Sequence, residues 1–386
     1  MLDRRQVLRA AAASPAVLFS GSALAREEKR AGGAIVHTRD VPNSEPAPGK
    51  LVENWITPVE HFYVRSHAPT PRIAPADYRL TVGGMVDRPL ELSLADLRAM
   101  PQQTVTATMT CAGNRREEHS RVKPVGGVQW QAGAIGNATW TGVPLAAVLR
   151  KAGVAEGAEH VWFDGLDRVQ RASGVIPFGA SIPLGKAMAD HAGTPGALVV
   201  HIMNGQPLTP DHGFPVRTVV PGYIGARSVK WLGRITVSDR PHTNHYVATA
   251  YKLVEEDTAA AWAAADPLET FVLNSVTCVP AAGDTVAPGV VTVRGYALAA
   301  GLPGRTVRRV ELSIDEGRSW FPARFSEDAR PLCWRLWSAP VRVTPAMRSL
   351  VVRAIDSTGA VQPETVEWNL KGYQFNAWHR TPVSVG

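Results

Sequence analysis

The chain has 386 residues, of which 45% are hydrophobic and 19% are charged, and its net charge is +7 at pH 7. The length allows two or three domains, and the abundant Pro (30) and Gly (34) favour a loop-rich globular protein with β-structure over a helical bundle. The mildly basic balance suits anionic ligands, whereas the lack of Lys/Arg blocks with interleaved aromatic residues argues against nucleic-acid binding.

Residues 1–25 have the pattern of an export signal. Arg4 and Arg5 precede an apolar, Ala-rich stretch at 10–24, and Ala-Leu-Ala at 23–25 is a small-x-small cleavage site. Adjacent arginines predict the twin-arginine route and hence a periplasmic protein. An ordinary secretory signal or an uncleaved anchor is the alternative. No later run is long enough to span a bilayer, so we expect no membrane association of the mature protein.

The next residues predict an N-terminal arm and then a mixed α/β domain. Residues 26–50 are charged and then rich in Pro and Gly, which indicates the arm, and the domain covers 51–262. Ser93 is the predicted N-cap of one helix, and another runs from 144 to 153, with proline in its first turn and glycine at its end. The predicted strands are 78–82, 198–202 and 229–237.

The pattern changes after residue 262. Short alternating strands, separated by turns, predict a β-sandwich of immunoglobulin type over residues 263–386, so the expected fold class is α+β. The predicted strands of this domain are 290–296, 307–314, 334–337 and 350–356.

The cysteines are too few for a disulfide framework. They are Cys111, Cys278 and Cys333. Cys278 and Cys333 could form a disulfide bond, but the sequence does not show how far apart they lie. No Cys-x-x-Cys-His motif and no four-cysteine cluster spacing is present, so we expect no haem in this chain.

Cys111 lies in the most informative segment, Met-Thr-Cys-Ala-Gly-Asn-Arg-Arg at residues 109–116. A thiol flanked by small residues can approach a metal closely, and the following arginines can hold an anion beside it. The alternatives are a small buried hydrophobic residue or a free reactive thiol, and the segment alone does not decide between them.

Residues 111–116, Cys-Ala-Gly-Asn-Arg-Arg, resemble the metal-ligating segment of the sulfite oxidase family of molybdenum enzymes. Other segments resemble the family in the same order, so that the resemblance covers nearly everything after residue 51. They are Phe-Tyr-Val-Arg-Ser-His at 62–67, Gly-Leu-Asp at 165–167, Gly-Ala-Ser-Ile-Pro at 179–183, Asp-His-Gly-Phe-Pro-Val-Arg at 211–217, the stretch 221–231, Trp-Asn-Leu-Lys-Gly at 368–372 and Ala-Trp-His-Arg at 377–380.

The resemblance implies a molybdenum–molybdopterin cofactor with the Cys111 thiolate as a metal ligand. Basic side chains and a serine hydroxyl suit the phosphate, and an aspartate can accept hydrogen bonds from pterin N–H groups. Each histidine, taken alone, is more often a core residue than a ligand contact. The residues that match cofactor-binding positions of the family are His67, Asp167, His212, Arg217, Ser228 and Lys230.

The resemblance also implies a substrate pocket. Arg65 and Arg116 match pocket arginines whose guanidinium forks suit tetrahedral oxyanions, although surface or structural roles are the commoner fate of an arginine. Lys371 stands where vertebrate members usually have another arginine, so the charge is kept and the fork is lost. Ser66 stands where those members have an asparagine.

Two aromatic residues complete the implied pocket. Tyr251 follows Lys230 at about the spacing of the family's active-site tyrosine, with Tyr246 and Tyr223 as rivals. A phenol can hydrogen-bond an oxygen ligand and help to pass a proton. Trp130 matches a tryptophan of the pocket wall, and plain core packing is its alternative role.

The activity implied by the resemblance is the oxidation of sulfite to sulfate, in a homodimer held by the second domain. Because no haem motif is present, a separate cytochrome c is the expected electron acceptor. One alternative is a sulfane dehydrogenase-type reaction, or a reaction of another oxyanion or a sulfoxide, at the same centre. Another is a non-enzymatic exported binding protein, which would contain neither metal nor pterin.

Overall fold

A computed structural model of the chain describes residues 33–189 and 196–386. The export signal predicted at residues 1–25 lies outside the described residues. In the described part of the chain, no helix is both long enough and apolar enough to cross a membrane.

The helices are short and lie mostly between strands. They are α1 (Pro48–Leu51), α2 (Leu94–Ala99), α3 (Arg116–Val122), α4 (Leu145–Ala152), α5 (Leu184–Met188), α6 (His245–Ala248) and α7 (Ala259–Ala264). Turns of 3₁₀-helix cover Val59–His61, Pro210–His212 and Gly225–Arg227.

The strands of the first domain are β1 (Ala34–Thr38), β2 (Asn43–Pro46), β3 (Val64–Arg65), β4 (Arg79–Gly84), β5 (Leu90–Ser93), β6 (Gln103–Thr110), β7 (Ile135–Pro144), β8 (His160–Gly165), β9 (Val169–Arg171), β10 (Gly174–Ile176), β11 (Gly179–Pro183), β12 (Leu198–Met203), β13 (Gln206–Pro207), β14 (Arg217–Val219) and β15 (Leu232–Ser238). Those of the second domain are β16 (Asn274–Val279), β17 (Thr285–Val286), β18 (Gly289–Leu298), β19 (Val307–Ser313), β20 (Phe321–Pro322), β21 (Arg324–Phe325), β22 (Arg335–Val343), β23 (Ser349–Asp356), β24 (His379–Pro382) and β25 (Ser384–Val385).

Part of the predicted N-terminal arm is folded instead. β1 pairs with β2, and β2 pairs with β3, so that Asn43 lies opposite Arg65. Glu45 on β2 is buried and accepts hydrogen bonds from the backbone N–H groups of Gln131 (2.8 Å) and Gly133 (2.7 Å). These partners are distant in sequence, which is why the polar composition of the segment did not reveal the strands.

Besides the β1-β2-β3 sheet and the β9-β10 hairpin, the first domain contains two larger sheets. One has the strand order β11-β8-β15-β4-β5, and the other has the order β13-β12-β7-β6, with β14 paired to β12. Helix α2 begins with the predicted cap, where Ser93 and Asp96 form a capping box, and α4 ends at Gly153, whose φ is +74°. Apolar side chains of both helices join the core of the first sheet.

The second domain is the predicted β-sandwich. Its sheets have the orders β16-β18-β22-β21 and β20-β19-β23-β24. Alternate side chains of both sheets form one apolar core, which is the packing expected of a sandwich. The predicted boundary between residues 262 and 263 falls within α7. The α+β fold class is therefore confirmed.

Large aromatic side chains join the two domains. Trp334 is fully buried, its indole N–H donates to the carbonyl of Trp55 (2.9 Å), and the Trp55 indole donates back to the Trp334 carbonyl (3.2 Å). Cys278 and Cys333 are both free and buried, so the two cysteines of the second domain do not form the disulfide bond that the sequence left open.

Candidate active site

A cavity lies in the first domain. Its walls come from β3 and the residues after it, the end of β6, the 3₁₀ turns at Pro210–His212 and Gly225–Arg227, and β14. Nine of the predicted site residues line it, namely Arg65, His67, Cys111, Asp167, His212, Arg217, Ser228, Lys230 and Tyr251.

Cys111 directly follows β6 and is 8% exposed. The backbone N–H of Gly113 points to its Sγ at 3.4 Å, and the Cys111 N–H donates to the carbonyl of Ala134 at 2.9 Å. A Cβ on Gly113 would lie 2.5 Å from the Arg116 guanidinium, so a larger residue at this position would displace that side chain. An N–H donor beside the sulfur stabilises a thiolate, which is the form of cysteine that binds metals. In the described residues, no group of three or more His, Cys, Asp and Glu side chains could hold a metal ion.

One end of the cavity concentrates positive charge. Arg217 is buried, and its guanidinium donates to the carbonyls of His212 (3.0 Å) and Ser228 (3.1 Å). Lys230 is half-buried, and its Nζ donates to Ser66 Oγ (2.7 Å) and to the carbonyl of Asp211 (2.8 Å). In the described part of the chain, neither cation forms an ion pair with a carboxylate.

Burial of these cations makes their charge unfavourable. Desolvation lowers the pKa of Lys230 well below its usual value and that of Arg217 to about 10, and neighbouring positive charge adds to the effect at Lys230. The pKa of His212 falls to about 3, because burial and then Lys230 and Arg217 disfavour its charged form. The carboxylates of Asp211 and Asp167 offset part of the Lys230 charge from beyond ion-pair distance. An anionic ligand would stabilise both cations further, and a phosphate group fits their donor set.

The cavity also offers flat apolar surfaces and a carboxylate. Asp167 is buried and accepts one hydrogen bond, from the backbone N–H of Phe178 to Oδ1 at 3.0 Å. The His67 ring stacks on Phe178 with centroids 4.8 Å apart. Burial, followed by the charges of Arg65 and Lys230, lowers the pKa of His67 well below its usual value, so the ring is neutral. A flat heterocycle with N–H donors fits these walls, and the charge-rich end fits its phosphate.

Arg65 and Tyr251 meet at His67. Arg65 Nη2 donates to His67 Nε2 at 2.8 Å, and the Tyr251 hydroxyl lies 3.2 Å from the same nitrogen. Arg65 also donates to Asn43 Oδ1 at 3.1 Å. Burial raises the pKa of Tyr251, so its phenol stays protonated. Because Nε2 accepts, the neutral ring carries its proton on Nδ1.

Of the three tyrosines proposed from the sequence, Tyr251 is the one that lines the cavity. Its φ of +55° is uncommon for a bulky residue. The ring of Tyr246 lies 4.5 Å from that of His67, but Tyr246 does not line the cavity. Tyr223 is hydrogen-bonded to Glu269 (3.2 Å) and is also absent from the wall.

Three predicted substrate-pocket residues do not line the cavity. Arg116 donates instead to the carbonyls of Lys371 and Val128, both at 2.8 Å, because its side chain turns towards the second domain. Trp130 is fully buried, 4.8 Å from the His37 ring, and its Nε1 has no hydrogen-bond partner among the described residues. The Lys371 side chain is exposed, with Nζ 5.3 Å from the Trp262 ring.

The cavity wall also contains residues that the sequence did not single out. Tyr63 and Asp211 lie within recognised segments, and Phe178 directly precedes another, so proximity to those segments was an available signal. Met109 lies near the end of β6, two residues before Cys111, which was an available signal. Asn43, which holds Arg65, gave no sequence signal because it belongs to the segment interpreted as an arm.

Comparisons with known families agree with this geometry. Residues 67–246 match the oxidoreductase molybdopterin binding domain, and residues 266–386 match the Mo-co oxidoreductase dimerisation domain. The chain is therefore an oxidoreductase of the molybdopterin-binding class. All six residues predicted to bind the cofactor, together with Cys111, lie within the first match.

Individual relatives define the family more narrowly. The chain is 42% identical to the sulfite oxidase of Gallus gallus over 95% of its own length and 81% of the relative's, and 36% identical to that of Arabidopsis thaliana over 95% and 97%. It is 44% identical to the mitochondrial sulfite oxidase of Macaca fascicularis over 89% of its own length, but it spans only 64% of that relative. The chain belongs to the sulfite oxidase family, as predicted from its sequence.

A solved structure supports the fold. The sulfane dehydrogenase SoxCD from Paracoccus pantotrophus is similar with a TM-score of 0.75 and 27% sequence identity, and the match covers 90% of this chain and 88% of that one. Both domains are therefore included in the likeness.

Proposed function

We propose that the protein oxidises sulfite to sulfate at a molybdenum–pyranopterin centre bound in the cavity. The observation that carries this proposal is the convergence, in one cavity, of the Cys111 sulfur, the basic residues Arg217 and Lys230, which form no ion pair in the described part of the chain, and the Arg65 guanidinium. The names of the similar sulfite oxidases support the same substrate. When bound, the centre supplies the two-electron oxidation and the transfer of oxygen to sulfur.

Different residues of the cavity would hold the metal, the phosphate and the pterin of the cofactor. Cys111 would bind the metal as a thiolate, and its neighbouring N–H would stabilise that charge. Arg217 and Lys230, with His212 and Ser228, would hold the phosphate, whose negative charge restores favourable protonation of the two cations. Asp167 has acceptor capacity left for pterin N–H groups, since its carboxylate accepts one hydrogen bond from the backbone N–H of Phe178.

Arg65 and Tyr251 would act on the substrate. The hydrogen bonds from Arg65 to Asn43 and His67 fix its guanidinium in place, which lowers the entropy cost of binding an oxyanion. Tyr251 would hold a proton on its hydroxyl oxygen, and its contact with His67 Nε2 at 3.2 Å helps to fix the position of that hydroxyl. Arg116 and Lys371 would contribute through longer-range attraction, because neither lines the cavity.

The proposal includes the protein's location and partners. The Arg4–Arg5 pattern supports export to the periplasm by the twin-arginine route, which suits a protein that is loaded with its cofactor before transport. The match to a dimerisation domain supports a homodimer. The sequence contains no Cys-x-x-Cys-His motif, which supports an external cytochrome c as the electron acceptor.

The direct test measures molybdenum and turnover on the same preparation. Protein exported with its native signal would be analysed for molybdenum and pterin, and then for sulfite-dependent reduction of cytochrome c and of ferricyanide. We expect near-stoichiometric metal and sulfite-dependent reduction. A fully metallated preparation that does not respond to sulfite would contradict the proposed substrate. A correctly matured preparation without metal would instead favour a non-enzymatic binding protein.

The likeness to the sulfane dehydrogenase makes oxidation of a carrier-bound sulfane sulfur the second candidate. The two substrates differ in size, because sulfite is a small anion and the other is attached to a protein. A competition assay would decide between them: the same electron acceptor would be offered with sulfite or with a persulfidated protein. Faster turnover of the persulfide at equal concentration would favour the second candidate.

A further inference from the structure

The loop that carries Cys111 is held largely by the second domain. Every residue from 112 to 116 except Gly113 has a hydrogen bond to that domain. The bonds are from Gln374 N–H to Ala112 O (2.7 Å), from Asn114 Nδ2 to Tyr296 Oη (3.1 Å), from Arg115 Nη1 to Asn274 Oδ1 (2.7 Å) and to Ala377 O (2.8 Å), and from Arg116 Nε to Lys371 O (2.8 Å).

Tyr296 is linked to Cys111 by a short series of hydrogen bonds. Its hydroxyl accepts from Asn114 Nδ2 and donates to the carbonyl of Ala132 at 2.8 Å. Asn114 Oδ1 accepts from the N–H of Ala134 at 3.0 Å, and the Ala134 carbonyl accepts from the Cys111 N–H at 2.9 Å. Tyr296 is fully buried on β18, so a residue of the sandwich fixes both sides of the turn around Cys111.

Arg115 is the second link. It is a non-glycine residue with φ +67°, a conformation that costs about 1 kcal/mol and persists only when the surroundings fix it. Its fully buried guanidinium bonds both oxygens of Glu118 (2.7 and 2.8 Å) as well as Asn274, and it lies 4.9 Å from the Phe375 ring. Asn274 in turn donates to the Phe375 carbonyl at 2.9 Å.

We propose that the second domain positions the Cys111 sulfur, through a clamp formed by Tyr296, Asn274 and residues 371–377. The loop has little regular structure of its own, so these bonds restrict the directions in which Sγ can point. The second domain would then have a role in the geometry of the active site besides dimerisation. Tyr296 and Asn274 are positioning residues, since neither lines the cavity. The importance of this positioning for catalysis rests on the proposed function, in which Cys111 binds the metal. The positioning of the sulfur by the second domain does not depend on that proposal.

The test measures the reactivity of the Cys111 thiol in protein produced without cofactor. Tyr296→Phe removes one hydroxyl, and Asn274→Ala removes the contact with Arg115. The rate of alkylation by iodoacetamide would be followed for the peptide that contains Cys111, with buried Cys333 as the internal reference. We expect each variant to raise the Cys111 rate about fivefold, the factor that the loss of one hydrogen bond gives. Cys333 should remain unchanged.

Asn376→Ala is the matched control, because Asn376 lies in the same segment and its Nδ2 donates to the Leu273 carbonyl (3.3 Å) rather than to the loop. It should leave the Cys111 rate unchanged. Equal rates in wild type, both variants and the control would overturn the proposal. So would a parallel rise at Cys111 and Cys333, since that pattern reports general loosening. If Asn274→Ala does not fold, Tyr296→Phe decides.

A second measurement uses the loaded protein. The clamp variants should change the thiolate-to-metal absorption band and lower kcat, with little change in KM for sulfite, because the substrate residues are untouched. An unchanged spectrum with a raised KM would contradict the proposal. The two proposals can fail separately. Absence of molybdenum from the wild-type protein would contradict the proposed function but would not affect the alkylation result, which is obtained without cofactor.

Discussion

Two groups of cations at the cavity hold positive charge in different ways. Arg217 and Lys230, which form the proposed cofactor end, bond neutral oxygens and form no ion pair among the described residues. At the proposed substrate end, Arg65 is fixed by Asn43 and His67, while Arg116 and Lys371 lie outside the wall. Burial of Arg217 and Lys230 has a desolvation cost, and a bound anion can offset it. At the proposed substrate end, direct contact with an anion depends on Arg65 alone among these three cations.

This difference suggests that the cofactor end depends on its ligand and the substrate end does not. A permanently bound phosphate can compensate buried charge throughout the life of the protein. A substrate that must also leave is better served by a guanidinium that already has neutral partners, since product release then does not expose an unpaired buried charge. The predictions below test this contrast, starting from the metal ligand on which both ends depend.

Cys111→Ser should abolish turnover to the assay background while the protein still folds. A hydroxyl of similar size keeps the packing of the turn but is a far poorer metal ligand than a thiolate. Sulfite-dependent reduction of ferricyanide is the measurement. Cys333→Ser is the matched control, because Cys333 Sγ is buried and donates to the Thr106 carbonyl (3.3 Å) away from the cavity. Near-normal activity of Cys111→Ser would remove the proposed ligand.

Lys230→Met should act in opposite directions on the empty and the loaded protein. Removal of a desolvated charge should stabilise the cofactor-free protein by about 1–2 kcal/mol, whereas retention of the pterin should fall. Urea unfolding and pterin content are the measurements. Lys252→Met is the control, since Lys252 is also buried but bonds the Trp262 carbonyl (2.9 Å) outside the cavity. A less stable empty protein with unchanged pterin content would argue against the unpaired-charge interpretation.

Arg65→Gln should weaken sulfite binding by about 2–4 kcal/mol, because one charge and a bidentate donor are lost. The change should be found mainly in KM. Because Arg65 lies in the cavity wall, high ionic strength should reduce this change less than it would reduce the effect of removing a surface charge. Steady-state kinetics at two salt concentrations would measure it. An unchanged KM would show that the substrate end does not depend on this arginine.

Acid should destabilise the cofactor-free protein. Burial lowers the pKa of His212 to about 3 and that of His379 to about 4, against about 6.5 in an unfolded chain. Between pH 6.5 and these values the unfolded state binds protons that the folded state does not, so stability falls as the pH falls, by at most about 1.4 kcal/mol per pH unit for each histidine. At His212 the added proton would lie beside the positive charges of Lys230 and Arg217.

Unfolding free energies at pH 7, 6 and 5 would measure this slope, and His212→Gln should make it shallower. Bound phosphate should also reduce it, because an anion beside His212 favours the protonated ring. A stability that stays constant from pH 7 to 5 would contradict the assignment of a neutral, buried His212.

The sequence predicted which residues line the proposed cofactor end of the cavity better than it predicted which residues line the proposed substrate end. Residues such as His212 and Arg217 lie in a continuous segment whose local turns fix where the side chains point, so the segment pattern was sufficient to identify them. The helices at Ser93 and Gly153 followed in the same way from local capping. These features depend on neighbours in the chain, which a sequence displays directly.

The directions of Arg116, Trp130 and Lys371 depend instead on packing between distant parts of the chain. Arg116 turns away from the cavity because the carbonyl of Lys371, 255 positions later, accepts its Nε–H. The strands of the predicted arm likewise depend on pairing with β3. No local pattern in the sequence shows whether such a side chain points into the cavity or packs against a distant part of the chain.

Lys371 provides the smallest and most discriminating test of the contrast. Its side chain is exposed, so Lys371→Met should raise KM for sulfite less than about threefold at physiological salt, in line with the small energies of exposed charges. Lys371→Arg should not lower KM, because an added fork at the surface cannot contact an anion within the cavity wall. A tenfold lower KM in Lys371→Arg would mean that the side chain swings inwards when sulfite binds. The substrate end would then be completed by its ligand, as the cofactor end is, and the distinction between the two ends would not hold.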